Sequence, residues 1–126
     1  MTMRVEIFPS DDLGSTIRFY VEVLGFVLVR DESATEAPYV ALERGEVKIG
    51  AAARCRHHPD LDHRRPPTGV ELVLEVDDLD SELDRVRSRG WPIEEELTRR
   101  PWGLRDFRLL DPNGYYLRIT ERNPDG

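Results

Sequence analysis

Two segments of the chain place hydrophobic residues at helical spacing, which predicts two amphipathic helices. The stripe of the first helix consists of Leu13, Ile17, Tyr20 and Leu24. The stripe of the second consists of Leu79, Leu83 and Val86. Each segment opens on a pair of aspartates, at 11–12 and 77–78, whose carboxylates can cap a helix N-terminus. Each ends on glycine and an aromatic residue, at 25–26 and 90–91, where glycine fits the left-handed position that closes a helix.

Apolar runs on both sides of these helices predict strands. One run precedes each helix, at residues 4–8 and 70–76. Three runs follow the first helix, at 27–30, 39–43 and 47–51, and three follow the second, at 93–96, 104–110 and 115–120. The order β-α-β-β-β therefore occurs twice, at the offset of 66 residues that separates Asp11 from Asp77. Similar caps on two helices are common in α+β folds, but the recurrence of the whole order favours an internal duplication.

The composition fits one compact domain, since the 126 residues are 39% hydrophobic and 34% charged. We predict a single domain over 1–126, in which module one covers about 1–53 and module two about 69–122. The stretch at about 54–68, which is rich in histidine, arginine and proline, is the predicted linker between the modules.

Several classes of protein are disfavoured by the same composition. No apolar run approaches the ~20 residues of a membrane span, and the N-terminus lacks the apolar core of a secretory signal. Cys55 is the only cysteine, so no intrachain disulfide can form. We therefore expect a cytoplasmic protein without a membrane partner. The net charge of −7 disfavours nucleic acid and is compatible with a cationic ligand.

Motifs in both halves resemble one family. The first half carries Asp12-Leu13, Ser15, Phe19-Tyr20 and Leu24-Gly25-Phe26, and the second carries residues 75–79, Pro101-Trp102-Gly103 and Asp111-Pro112-Asn113-Gly114. With the duplication, these residues resemble the vicinal-oxygen-chelate (glyoxalase/bleomycin-resistance/dioxygenase) superfamily, over nearly the whole chain apart from the linker. The stretch 101–114 most resembles bleomycin-resistance proteins. The resemblance implies an α+β fold of two tandem βαβββ modules that form a curled mixed-sheet cup, and it implies a homodimer.

Enzymes of this superfamily hold one divalent ion with side chains from the first and last strands of each module. Carrying these positions over gives Val5, Glu71, Arg118 and either Ala51 or Ala52. Only Glu71 can ligate a metal, and Arg118 would repel one. A one-residue slip would offer Glu6, but from the opposite face of the strand. We therefore expect neither a metal nor a cofactor. Glu71 and Arg118 either pair within the cup or reach solvent at its rim.

A second metal hypothesis concerns the linker. Its cysteine and histidines, Cys55, His57, His58 and His63, are residue types that bind zinc. Four arginines surround them and make the segment electropositive, and the spacing is irregular. The pattern favours a solvated loop over a zinc site.

Aromatic residues provide the candidate ligand contacts. Trp102 lies between Pro101 and Gly103 in a predicted loop, where its flat face could stack on a ligand. Its alternative role is packing against a dimer partner. The remaining candidates are Tyr39, Phe107 and Tyr116, together with Glu71 and Arg118. Phe107 and Tyr116 could instead belong to the core.

The missing metal ligands favour a binding protein over an enzyme. The leading hypothesis is sequestration of a small cationic or aromatic molecule, such as a bleomycin-type antibiotic, which would confer antibiotic resistance and needs no catalytic residue. The alternative is a metal-dependent lyase, isomerase or dioxygenase of the same superfamily. A transcriptional or interaction module is a third possibility that no residue favours.

Overall fold

The computed structural model describes residues 1–9, 12–53 and 69–122. The chain divides into two compact units, Met1–Arg65 and Pro66–Gly126, and the boundary falls within the predicted linker. The first unit contains β1 (Val5–Ile7), α1 (Leu13–Arg18), a π-helical segment (Phe19–Val23), β2 (Val27–Asp31), β3 (Tyr39–Arg44) and β4 (Val47–Ala52). The second contains β5 (Leu72–Val76), α2 (Leu79–Ser88), β6 (Glu95–Arg99), β7 (Arg105–Leu110) and β8 (Tyr116–Glu121).

Each unit builds one four-stranded mixed sheet from its described residues. The strand order is β1-β4-β3-β2 in the first and β5-β8-β7-β6 in the second. In both sheets the strand that precedes the helix runs parallel to the last strand of the unit, and the other neighbours are antiparallel. The predicted α+β fold of two tandem βαβββ modules is thereby confirmed.

The first helix differs from its prediction. Asp12 caps it, accepting hydrogen bonds from the backbone N–H groups of Gly14 at 2.6 Å and Ser15 at 3.3 Å. After Arg18 the chain widens into the π-helical segment, where the N–H of Leu24 donates to the carbonyl of Phe19 at 3.2 Å. Because a π turn contains more residues than an α turn, adjacent residues turn inward together. The buried residues are Thr16, Phe19, Tyr20, Val23 and Leu24, whereas Leu13 and Ile17 of the predicted stripe are only half-buried.

The second helix follows its prediction closely. Its stripe of Leu79, Leu83 and Val86 is buried, and α2 packs against β8. Asp78 caps its start by accepting from the N–H of Ser81 at 3.1 Å, and Gly90 follows its end with a φ of 70°. That left-handed conformation explains why glycine occupies the position. No helix in the described part of the chain has the length and apolar character needed to cross a membrane.

Alternation along the strands gives each sheet a helix face and an opposite face. The helix face of the second sheet is apolar and carries Phe107, Leu109, Leu117 and Ile119, which are all buried. The opposite face, called the far face below, carries Asp106, Arg108 and Arg118, with Glu71 directly before β5. The second unit thus buries its core under α2 and places the cluster of Asp106, Arg108, Arg118 and Glu71 on the other side of the sheet.

Candidate functional site

The turn between β7 and β8 sets the register of the far face. Asp111 is buried, and its Oδ1 accepts from the N–H groups of Asn113 at 2.8 Å and Tyr115 at 2.9 Å. These bonds close the tight turn that the sequence Asp-Pro-Asn-Gly favours. Counting outward from this turn, Arg108 of β7 lies directly opposite Arg118 of β8. The hairpin therefore places two guanidinium groups side by side.

Glu71 joins these two arginines. Its Oε1 lies 3.1 Å from Nη2 of Arg118, and its Oε2 lies 3.6 Å from Nη1 of Arg108. Of the two alternatives left open by the sequence, pairing of Glu71 with Arg118 is the one confirmed. The pairing has a physical cause, because like charges placed opposite each other destabilise a sheet unless an anion lies between them.

A buried carboxylate anchors the neighbouring part of the face. Asp106 is fully buried and accepts three hydrogen bonds from Arg100, between 2.9 and 3.1 Å. Nη2 of Arg100 also donates to Glu95 at 2.7 Å. Burial would raise the pKa of Asp106, but the hydrogen bonds from Arg100 and Arg108 outweigh it and hold that pKa below its ordinary value. The carboxylate therefore remains charged and fixes both arginines.

Trp102 lies in the loop between β6 and β7. The loop closes through the N–H of Arg100 to the carbonyl of Leu104 at 2.8 Å, and Gly103 has a φ of 97°. This conformation leaves Trp102 58% exposed, with the guanidinium carbon of Arg118 6.0 Å from the centre of its ring. A large apolar ring is thus presented beside the arginine pair rather than packed in the core.

The other aromatic residues predicted to contact a ligand lie in three different places. Tyr116 lies on the far face, with the guanidinium carbon of Arg108 6.0 Å from its ring centre. Phe107 points the opposite way and is fully buried on the helix face, so it is a core residue and does not join Trp102, Tyr116, Glu71 and Arg118. Tyr39 belongs to the first unit, where it lies at the start of β3.

The ligand positions carried over to the first unit need correction. Val5 pairs with Ile49, and Ala51 pairs with Ile7, so both lie on the helix face of that sheet. The alternative position, Ala52, pairs with Tyr39 on the opposite face but carries no donor. Glu6 pairs with Gly50 on the opposite face. The first-strand position of the first unit was wrong because it was counted back from the aspartate pair, and the loops between first strand and helix differ in length in the two units. Ile7 ends β1 five positions before the cap Asp12, whereas Val76 ends β5 two positions before its cap.

Glu6 forms a small polar cluster in the first unit. Its Oε1 accepts from the hydroxyl of Tyr39 at 3.0 Å and lies 2.5 Å from Nε of Arg4. A side chain at Gly50 would collide with the hydroxyl of Tyr39 and the carboxylate of Glu6, so a larger residue there would displace this pair. Burial and the hydrogen bond to Glu6 raise the pKa of Tyr39 above its ordinary value. The Glu6 carboxylate is therefore already bonded, and Glu43 of β3 lies on the same face of the sheet.

Within the described residues, no three His, Cys, Asp or Glu side chains come together in a way that could hold a metal ion. The linker hypothesis, which concerns Cys55, His57, His58 and His63, lies outside the described residues. In the second unit the only superfamily ligand type at a predicted position is Glu71, and it is flanked by two guanidinium groups. This donor set does not fit a divalent cation, because the fixed positive charges would repel it.

The sequence reasoning missed Arg108, Arg100, Asp106 and Glu95. A signal for two of them was present. The turn at 111–114 fixes the hairpin, so counting outward from it pairs position 108 with position 118, and alternation then places 106 on the same face. Arg100 and Glu95 had no comparable signal, because their side chains meet only once the loop has folded.

Comparison with known proteins agrees with this architecture. A probable lactoylglutathione lyase of Vibrio cholerae is 25% identical over 114 residues, which cover 87% of this chain and 83% of that protein. The crystal structure of TioX from Micromonospora sp. ML1 superposes with a TM-score of 0.76 at 23% identity, covering 98% of this chain and 99% of that one. A glyoxalase/bleomycin resistance protein from Streptomyces sp. CB03234 gives a TM-score of 0.70 at 22% identity, covering 95% and 100%.

The two structural likenesses, at this level of identity, concern the fold. Family membership rests on a broader match, since the model of one family matches residues 4–119, which is nearly the whole chain. The chain belongs to the Glyoxalase/Bleomycin resistance protein/Dioxygenase superfamily.

Proposed function

We propose that this protein binds a small, partly aromatic molecule on the far face of its second unit. The observation that carries the proposal is Trp102, a loop tryptophan that is 58% exposed beside a fixed row of arginines. Exposed aromatic rings on rigid loops are a common means of binding flat ligands. Tyr116 on the same face offers a second ring.

The charges of the face favour binding over metal chemistry. A metal-dependent lyase, isomerase or dioxygenase would need several oxygen or nitrogen donors aimed at one point. Here Arg118 occupies a position where such a donor is expected, and Glu71 is held between Arg118 and Arg108.

The finer assignment is also a proposal. Sequestration of an antibiotic of the bleomycin type is supported by the resemblance of residues 101–114 to bleomycin-resistance proteins. The name of the Vibrio cholerae relative supports the enzymatic alternative instead. We further propose that the protein acts in the cytoplasm as a homodimer and contacts neither nucleic acid nor membrane.

The test is a thermal-shift screen of antibiotics and metabolites, with and without divalent metal ions, because a true ligand raises the melting temperature. Elemental analysis of protein grown in metal-supplemented medium accompanies it. We expect ligands that raise the melting temperature without added metal ions. We also expect no stoichiometric divalent ion in the purified protein. About one Ni, Zn, Mn or Fe per chain, with Glu71 among its ligands, would support the enzymatic alternative.

Substitution of Trp102 then localises the ligand. Trp102→Ala should weaken binding of a hit by about 1–3 kcal/mol, the range of a lost aromatic stack, and should leave the fold intact. Trp91→Ala is the matched control. Its indole Nε1–H donates to the carbonyl of Leu110 at 2.8 Å, so losing it should lower the melting temperature first. Full affinity in Trp102→Ala, or a ligand reported only by Trp91 fluorescence, would remove Trp102 from the site.

A further inference from the structure

The far face of the second unit is unevenly compensated. Its ion pairs join three guanidinium groups, of Arg100, Arg108 and Arg118, with three carboxylates, of Glu71, Glu95 and Asp106. A further carboxylate, that of Glu75 on β5, lies on the same face and is exposed. Two of the carboxylates have their shortest contacts with Arg100, at 2.7 and 2.9 Å. Arg108 lies 3.5 Å or more from every carboxylate near it. Glu71 therefore contacts both opposed arginines, while Asp106 and Glu95 also lie within 3.7 Å of Arg108.

Arg118 has a donor that no described residue satisfies. Its Nη2 contacts Glu71, but its Nε is buried and has no hydrogen-bond partner within the described ranges. A buried guanidinium N–H without an acceptor is unfavourable, and a negatively charged oxygen is the acceptor that it binds most strongly. The side chain as a whole is 24% exposed although Nε itself is buried, so a ligand that meets the side chain reaches this donor once the guanidinium shifts.

The surroundings of this donor suit a flat molecule. The ring of Trp102 has Arg118 on one side, and the ring of Tyr116 has Arg108 on one side, each with 6.0 Å between guanidinium carbon and ring centre. A ligand whose acidic group meets the arginine pair would bring an attached ring within reach of Trp102. The acidic group would also give Arg108 a closer counterion than its present carboxylates, which lie 3.5 to 3.7 Å away.

We propose that the ligand of the far face is an aromatic oxyanion, whose acidic group is bound by Arg118 and Arg108 and whose ring stacks on Trp102. This inference rests on the proposed function and specifies its ligand class. It reverses the expectation from the net charge of −7, which is compatible with a cationic ligand. The local field decides here, because the arginines act at contact distance and the distant acidic residues are screened by salt.

Three probes of similar shape test which ligand charge the far face prefers. They are a naphthalene carboxylate, the neutral carboxamide and the cationic amidine. Binding of each to the intact chain is measured by titration calorimetry at neutral pH. The carboxylate should bind about tenfold or more tightly than the carboxamide, as a charge-assisted hydrogen bond implies, and the amidine should bind more weakly still. Carboxamide or amidine binding as tight as carboxylate binding would overturn the inference.

Variants then assign the preference to the arginine. Arg118→Met should bring the carboxylate-to-carboxamide ratio close to one, while the matched control Arg122→Met should leave it unchanged. Arg122 lies just after the same strand but pairs with Asp77, and its side chain is 61% exposed. If circular dichroism shows that Arg118→Met does not fold, the ratio is measured in Arg118→Lys instead. It retains the charge beside Glu71 and lacks Nε, so the ratio should fall partway. An unchanged ratio in the variant that is measured contradicts the proposal.

Failure of this inference is distinguishable from failure of the proposed function. If Trp102→Ala weakens all three probes equally while the carboxylate has no advantage, the binding face stands and its anionic specificity falls. If Arg118→Met abolishes a clear carboxylate preference but Trp102→Ala has no effect, the arginine pair binds the anion and the stacking role of Trp102 falls. If no probe binds, the ligand class named here is wrong.

Discussion

At the scale of single residues, position on a strand decides whether a side chain can act at the site. Phe107 and Arg108 are adjacent in sequence, yet one is buried beneath α2 and the other lies on the far face. The same alternation places Glu6, and not Val5, on the face opposite α1. A shift of one position therefore changes the chemistry of a strand completely.

Asp106 gives a prediction at this scale. Asp106→Asn removes a buried charge from Arg100 and Arg108 and should lower the stability by about 1–3 kcal/mol at neutral pH. Because folding lowers the pKa of Asp106, its contribution is fully present above the ordinary carboxyl pKa of about 4. The contribution is lost as the pH falls through the lowered value.

The measurement is thermal denaturation of both proteins between pH 7 and pH 3. The difference between wild type and Asp106→Asn should be largest above pH 5 and should shrink towards pH 3. Asp84→Asn, which alters an exposed carboxylate of α2, is the control and should follow wild type throughout. A constant difference across the pH range would show that the charge of Asp106 is not what stabilises the face.

At the scale of elements, caps and turns carry much of the information that the sequence holds. The double aspartates mark both helix starts, and in each pair the second aspartate is the cap. Hydrogen bonds from the side chain and N–H of Ser81 lower the pKa of Asp78, as expected for a carboxylate at a helix N-terminus. The bounds of β6 were predicted less well. The strand covers Glu95–Arg99 rather than 93–96, which places Glu95 opposite Arg108.

The cap of α2 can be tested directly. Asp78→Ala should lower the melting temperature, because the N–H of Ser81 loses its acceptor, whereas Asp78→Ser should retain most of the stability. The neighbouring substitution Asp77→Ala is the control, since Asp77 contacts only the exposed Arg122 in the described structure. Equal losses from Asp77→Ala and Asp78→Ala, measured by circular dichroism melting, would contradict the assignment of the cap.

At the scale of the whole molecule, the two units repeat one plan with different surfaces. Each sheet has two edge strands within the described residues, β1 and β2 in one and β5 and β6 in the other. Val27 and Val29 of β2 are 61% and 50% exposed. Exposed edges and apolar edge residues are usually covered by other chain segments.

We therefore expect a homodimer with two-fold symmetry in solution. Light scattering coupled to gel filtration should give about twice the mass of one 14.6 kDa chain at micromolar concentration. Dilution should reveal a monomer only at lower concentrations. A mass of one chain across the whole concentration range would contradict the expectation.

The sequence by itself determined the duplication, the α+β class, both helix starts and the tight turn of the last hairpin, because these depend on local periodicity, capping and turn chemistry. It also indicated Trp102 as a loop residue and Glu71 with Arg118 as a candidate pair. Only the tertiary structure decided that Arg108 shares Glu71, that Asp106 is buried beneath Arg100, and that Phe107 belongs to the core. Those contacts join residues from different strands and a loop of the second unit, and their geometry depends on strand register and on the fold of the loop between β6 and β7. No local pattern of residues encodes these distances.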